Sequence, residues 1–470
     1  MSFLIYEKKN GSLLATKRNE YLLRSSLLRM RKNLRNDFAP RLQSRLELCS
    51  CRTMDRNDIA IDSAICRSIK NKNYDSNIKR TLQYVRLFFT VSGVWPAITK
   101  YSSERSKYLS RLVILACFSM IAFTLVPTAS HMIFREKNYA VKVVLLGPVG
   151  TAFGAMLKYA IILSRANTIK KCMEQMRNDW MIVESADEHA IMTNNANTGR
   201  KIAVICAFFL YTAGVSFFAI VPILKGSKIN EFNQTIRPLA YPGYNIFIDE
   251  QRTPTYEIIF FLIFVSACIR YTITIGIISL VAAFVGHACG QIEIVMSRLN
   301  KLFDGINEYV DKDELRERMA QIIKCHVNGF RFSANIDESF REACFVEIMS
   351  STLTICLLEY SCMWAFFNKD TMSVITHVLL LVSYVFNVFI FCHIGELLQT
   401  QYETVGNAAY MIEWYRLPDK LGLALVMVMA ITGSPRKLTA GRMLDLSIRN
   451  FGVIIRTSVT YLNMLRATTT

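Results

Sequence analysis

Long apolar runs separated by polar, basic connectors dominate this chain. Six runs are long enough to cross a hydrocarbon layer about 30 Å thick. They cover residues 112–132, 141–163, 202–224, 258–285, 344–367 and 372–394. A seventh unit is composite. Residues 421–433 are apolar but too short to cross, the stretch SPRKLTAG turns, and a half-polar helix closes the chain. Asp445, Ser447, Arg449, Asn450, Arg456, Thr457, Ser458, Thr460 and Tyr461 interrupt that last segment. Unpartnered polar side chains are expensive in lipid, so such a helix needs protein on one face and water on the other. The pattern predicts an all-α membrane protein with seven transmembrane helices and a water-facing terminal helix. Residues 287–342 are also helical in pattern, with Ile292, Val295, Leu299 and Leu302 at three- and four-residue spacing. They predict an amphipathic extension of spans four and five beyond the membrane, packed against 395–420 and against neighbouring subunits, with a monomeric loop folded back on itself as the alternative.

Composition fits this class: 52% of residues are hydrophobic. The net charge of +18 is uneven. Residues 1–72 carry 16 Lys/Arg against 7 Asp/Glu, which predicts a disordered basic extension, with anionic lipid as its alternative contact. Nucleic acid is not an expected partner of such a chain. Lys and Arg cluster in 73–111, 165–201 and 287–342 and are sparse in the alternate connectors. That bias predicts a cytosolic N-terminus and, with an odd number of spans, an extracellular C-terminus. This orientation opposes that of a G-protein-coupled receptor. Asn233 heads a glycosylation sequon in the second outer connector; Asn10 heads another on the cytosolic tail. Asn233 is therefore expected to be glycosylated and Asn10 not.

Catalytic signatures are missing from the sequence: it has no H-E-x-x-H, no phosphate-cradling glycine loop and no G-x-S-x-G. No enzyme activity and no cofactor is expected. The 13 cysteines are scattered; Cys49 and Cys51 form only a C-x-C pair, so neither a metal site nor a disulfide framework is predicted. His287, beside Cys289, is read as an interfacial histidine rather than a ligand. Ionisable residues within spans point to function. Lys158 is expected to snorkel from the end of span two. Arg270, Glu347 and Glu359 lie within spans four and five, with an Arg270–Glu359 pair one option and separate polar contacts the other. Apolar and aromatic residues collect on the outer halves of the spans. Val144, Leu145 and Pro148 lie on span two, Phe217 and Phe218 on span three, Phe260, Phe261 and Phe264 on span four, and His377 and Val378 on span six. These ten are the candidate lining of an outward-facing pocket for a small hydrophobic ligand, with ordinary helix packing as the competing reading.

Three stretches carry a family resemblance. Tyr74–Pro96 ends in Gly93, Trp95 and Pro96. The connector 239–257 reads Ala240, Tyr241, Pro242, Gly243, Tyr244, then Pro254, Tyr256 and Glu257. GELLQTQYETVGNAAYMIEWYRLP (395–418) and the terminal helix complete the set. In order and spacing over about residues 73–467, the chain resembles the insect olfactory receptors. Thr460–Tyr461 is present but no Q-F follows, which favours the olfactory over the related gustatory branch.

The resemblance implies a ligand-specific subunit of an odorant-gated non-selective cation channel, assembled as a tetramer with a shared co-receptor. It implies the plasma membrane of an olfactory neuron dendrite and a small volatile hydrophobic ligand. By similarity to the family's pore helix, Tyr461, Met464 and Thr468 line the gate, Leu465 flanks it, and Met464 is the apolar constriction. The domain division expected is a 1–72 extension, 73–286 with spans one to four and the pocket, a 287–342 anchor segment, and 343–470 with spans five to seven and the pore helix. Residues 1–72 exceed the family's usual start, and an over-extended gene model beginning truly at Met54 is the alternative to a real tail. Arg456 and Arg466 sit on a segment, 448–470, that contains no Asp or Glu. Four copies of Arg466 at a pore mouth would repel cations, so poor conduction by the chain alone is expected. Two rival functions are a metabotropic seven-helix chemoreceptor, disfavoured by orientation and missing D-R-Y and N-P-x-x-Y motifs, and a small-molecule transporter, disfavoured by the lack of internal repeats.

Overall fold

The computed structural model describes residues 71–99, 103–183, 185–220, 222–223, 226, 228–229, 235–237, 239–246, 251–304, 312–433 and 436–469. Asn10, Cys49, Cys51, Met54 and Asn233 lie outside the described residues.

Helices α1 (Tyr74–Thr81), α2 (Gln83–Val91) and α3 (Trp95–Ile98) precede the first span. Gly93 joins α2 to α3 at φ +73°, and a Cβ there would meet the Ser110 carbonyl at 3.0 Å. Only glycine takes both the backbone angle and that approach comfortably, which accounts for Gly93 in the G-x-W-P motif.

The spans follow as α4 (Glu104–Ser130), α5 (Tyr139–Ser164), α7 (Ala186–Val215), α8 (Thr255–Asn300), α9 (Lys312–Phe367) and α10 (Thr371–Met411). Helix α6 (Ala166–Ile182) sits between the second and third. Among the described residues, six helices are long and apolar enough to cross a membrane. Ser103 caps α4, its hydroxyl accepting from the Ser106 amide, and the Asn138 side chain caps α5 by accepting from the Ala140 amide. Each cap satisfies an amide that the first turn leaves unpaired. The third span starts earlier than its apolar run, because the polar stretch before residue 202 is helical too. Asp187 and Glu188 occupy its first turn, where the helix dipole favours them. Large apolar side chains on the spans, including Leu115, Phe134, Phe208 and Phe261, are exposed on the protein surface. That is the arrangement a lipid solvent selects.

The composite seventh unit resolves into two separate helices, α11 (Asp419–Thr432) and α12 (Ile448–Thr469). Between them Thr439–Ala440 (β1) and Leu444–Asp445 (β2) pair as a two-stranded antiparallel hairpin. The chain divides into two compact units. The larger joins Lys70–Gln291, Asn328–Gln399 and Lys437–Thr470; the smaller contains Ile292–Val327 and Thr400–Arg436. The division passes through α8, α9 and α10, so α11 falls in the smaller unit and α12 in the larger.

In the smaller unit, Arg318 donates to the Asp304 carbonyl at 2.9 Å and pairs with Glu314 at 2.7 Å. Arg416 lies over the Phe303 ring at 5.0 Å. Gly406 brings α10 close to α11, since a Cβ there would meet Thr432 Oγ1 at 2.7 Å. In the larger unit Tyr159, Trp180, Phe284, Phe332, Phe340 and Phe391 are fully buried.

Candidate functional site

The larger unit holds a cavity with about 490 Å³ of space free of atoms, counting space that opens to solvent. Its lining comes from five helices and one loop: Thr151, Ala155 and Lys158 of α5, Leu210 of α7, Arg270, Tyr271 and Thr274 of α8, Glu347 and Ser350 of α9, Tyr384 and Asn387 of α10, with Phe218 just past α7 and Tyr241 of the 239–246 loop.

One wall is ionic. Lys158 pairs with Glu347 and donates to Thr274 Oγ1 at 3.1 Å. Glu347 Oε1 also accepts from Ser351 Oγ at 3.0 Å and from Asn387 Nδ2 at 2.6 Å. Three helices thus meet at one carboxylate, and Thr274 of α8 binds its lysine. The sequence suggested that Lys158 snorkels; instead it is 5% exposed and turned inward to Glu347. Length alone allows a lysine to reach an interface, but a buried counter-charge across the helix pair competes better than distant water.

Arg270 forms the opposite polar feature. It is 7% exposed, donates from Nη2 to the Tyr241 hydroxyl at 3.0 Å, and lies over the rings of Phe218 and Tyr241 at 5.7 and 5.4 Å. It does not pair with Glu359. That carboxylate accepts from Ser458 Oγ at 3.3 Å, on the terminal helix. Of the two options open in the sequence, separate polar contacts are found.

Above the cavity the 239–246 loop folds back into the bundle. Tyr241 and Tyr244 are buried with Phe218, Ile259, Ile263 and Ala267, and Phe123, Phe217, Phe264 and Tyr271 pack against them. Tyr244 donates to the Phe123 carbonyl at 3.3 Å. Gly243 sits at φ +116° with a Cβ position 2.5 Å from the Pro127 carbonyl, so no side chain fits there. The Tyr-Pro-Gly-Tyr motif therefore serves as a plug whose first tyrosine reaches the cavity arginine.

Among the ten candidate pocket residues, Phe218 lines the cavity. Phe217 and Phe264 join its aromatic cluster, and His377 lies 6.2 Å from the Phe217 ring. Phe260 stacks at 6.1 Å on Tyr256, and Pro148 is half-buried. Leu145 is buried, whereas Phe261 and Val378 are exposed. Val144 packs elsewhere, in a cluster of Val143, Leu357 and Tyr360 that also holds Leu462 and Leu465 of α12. A candidate pocket residue and a candidate gate residue thus share one apolar contact group.

Helix α12 is held at its start by three contacts. The Glu396 carboxylate accepts from the Ile448 amide at 3.1 Å. Asp337 accepts from the Thr439 amide and hydroxyl, both at 2.8 Å. Gly395 leaves room for the Leu446 carbonyl, which a Cβ there would strike. Ile454 and Ser458 are buried and Leu462 and Leu465 half-buried, all on one face. Tyr461 and Met464 are 52% and 65% exposed, and Arg456 is also exposed. Thr468 lies within the helix.

The ionic wall was within reach of the sequence only as single residues. Lys158, Arg270 and Glu347 stand out as charges inside spans, but nothing local says which faces which. Thr274, Tyr271, Tyr384 and Asn387 gave no signal against ordinary packing. Among the described residues, no group of three or more His, Cys, Asp or Glu is placed to hold a metal ion.

The family described as 7tm odorant receptor matches residues 138–459. Odorant receptor 10 of Aedes albopictus is 21% identical over 320 residues, which is 67% of this chain and 81% of that one. Odorant receptor 13a of Drosophila melanogaster is 22% identical over 413 residues, covering 81% of this chain and 94% of that protein. In fold, the olfactory receptor OR5 of Machilis hrabei, solved in complex with eugenol, superposes with a TM-score of 0.68 at 11% identity, covering 84% of this chain and 100% of that one. A match across most of the chain, on a bundle of membrane-crossing helices with a cavity inside it, places this multi-pass membrane protein in the insect odorant receptor family, whose members are not enzymes but ligand-gated cation channel subunits that pair with a co-receptor.

Proposed function

We propose that this chain is the odorant-binding subunit of a heteromeric, non-selective cation channel, joined in a tetramer to a co-receptor subunit. It works at the dendritic plasma membrane of an olfactory neuron, N-terminus inside and C-terminus outside. A small hydrophobic volatile binds in the cavity below the 239–246 plug; the Machilis receptor of similar fold was solved in complex with eugenol.

The observation that carries this reading is the connection between cavity and terminal helix. Helices α5 and α9 supply Lys158, Thr151, Glu347 and Ser350 to the cavity. Further along, the same two helices supply Val143, Leu357 and Tyr360 to the cluster that holds Leu462 and Leu465. Glu359 of α9 also meets Ser458 of α12. A ligand that fits better when α5 and α9 separate slightly shifts the bundle toward that state, and the terminal helix moves with it. Only a difference in ligand affinity between the two states is required. The face of α12 bearing Tyr461 and Met464 looks away from the subunit's own core and is the surface four subunits would bring to a shared axis. Met464 there forms an apolar ring that closes by dewetting, with Tyr461 and Thr468 beside it and Leu465 behind.

Recording from the chain with and without an insect co-receptor tests the proposal. Odour-evoked currents are expected in excised patches without soluble second messengers, and little current from the chain alone, where four copies of Arg466 would crowd the pore mouth. A response that needs a nucleotide-driven cascade, or ligand uptake in place of current, would replace this reading with one of its rivals.

A further inference from the structure

The cavity's charges do not balance. Lys158 is matched by Glu347. Arg270 has no carboxylate partner among the described residues; its one hydrogen bond there goes to the Tyr241 hydroxyl. Its Nη1 is buried and reaches no acceptor among the described residues. The rings of Phe218 and Tyr241 flank the guanidinium. Rings satisfy the flat faces of a guanidinium, yet its N–H groups point outward in its own plane and need oxygen. Leaving a charged donor desolvated and unpaired is among the costlier defects a protein interior can hold.

We propose that Arg270 Nη1 donates to a carbonyl oxygen of the ligand, so that the cavity selects volatile carbonyl compounds over hydrocarbons of the same shape. This rests on the cavity being the odorant site. A hydrocarbon filling the space leaves Nη1 without an acceptor. A ketone, aldehyde or ester returns the hydrogen bond. The cavity-lining side chains of Leu210, Phe218 and Tyr271 accept the apolar remainder of either ligand equally, so discrimination falls on the single oxygen.

The test is equilibrium binding to the purified chain–co-receptor complex in lipid nanodiscs, using pairs in which a carbonyl oxygen is exchanged for a methylene. Suitable pairs are acetophenone and α-methylstyrene, benzaldehyde and styrene, cyclohexanone and methylenecyclohexane. The carbonyl member is expected to bind roughly ten- to hundred-fold tighter, the range for a hydrogen bond to a charged group. Arg270→Met should bring that ratio to about one, while Tyr241→Phe, which keeps the guanidinium, should preserve it. Should Arg270→Met fail to assemble, the wild-type ratio still decides. Equal affinity within every pair overturns the proposal, as does a preference that survives Arg270→Met or vanishes in Tyr241→Phe. Benzoate run beside benzaldehyde tells an ionised acceptor from a neutral one, either being a carbonyl oxygen on Nη1. Selective carbonyl binding without any evoked current would sink the channel reading and keep the ligand chemistry. Currents evoked equally by both members of each pair would do the reverse.

Discussion

Replacing Lys158 with methionine isolates the largest electrostatic commitment in the bundle. The substitution keeps the length of the side chain and removes its charge. Glu347, 3% exposed, would keep its hydrogen bonds from Ser351 at 3.0 Å and Asn387 at 2.6 Å but lose its cation. Removing one partner of a buried pair costs about 3–5 kcal/mol, because the other charge stays desolvated. Two neutral donors stabilise a carboxylate in part, so the expected loss for Lys158→Met lies toward the lower end, about 3 kcal/mol. The double variant Lys158→Met with Glu347→Gln removes both charges and leaves an acceptor for Asn387. It is expected to recover most of that loss, since a buried pair and its neutral replacement differ little in net stability. The assay is thermal unfolding of the detergent-solubilised complex, followed by size-exclusion fluorescence, with surface biotinylation as a check in cells. A stability order of wild type, then double, then single is expected. If the single variant melts with the wild type, or if the two losses simply add, the Lys158–Glu347 contact does not act as a unit and the ionic wall has been misread.

Three further outcomes follow from other parts of the molecule. Gly395→Ala drives a methyl into the Leu446 carbonyl and should cost about 1–3 kcal/mol with loss of surface expression, whereas Gly422→Ala, with open space around it, should be neutral or slightly stabilising; equal behaviour of the two in the same melting assay would refute the close approach. Cysteines at Tyr461 and Met464 should react with hydrophilic thiol reagents and block current, while one at the buried Ser458 should not; Cys172 is a silent background, burial having pushed its thiol up to about 12, and a scan without any reactive stripe would remove α12 from the pore. Asn233→Gln should abolish a glycosidase-sensitive mobility shift that Asn10→Gln leaves intact, and the opposite result would invert the orientation.

Where the long apolar helices lie was legible in the sequence because hydropathy is a local property. An apolar run of span length has one favourable environment, and its position does not depend on what lies beside it. The half-polar character of 448–469, the sequence motifs around Tyr241 and Gly395, and the presence of charges within spans were visible for the same reason. Pairing was not. Lys158 and Glu347 are far apart in the chain, and their meeting depends on the rotation of two helices about their own axes, which many packing contacts set together. The pocket showed the same division. Aromatic periodicity drew attention to Phe217, Phe218 and Phe264, which do cluster, but it could not separate them from Phe261, one turn from Phe264 and exposed. Nor could it show that the cavity beneath them is lined by Arg270, Lys158 and Glu347, because a charge inside a span announces only that a partner exists. The sequence by itself determined which segments form long apolar helices. The tertiary structure decided which side chains face one another, since that is fixed by helix rotation and close packing, and these are properties of the whole bundle and of no single run of residues.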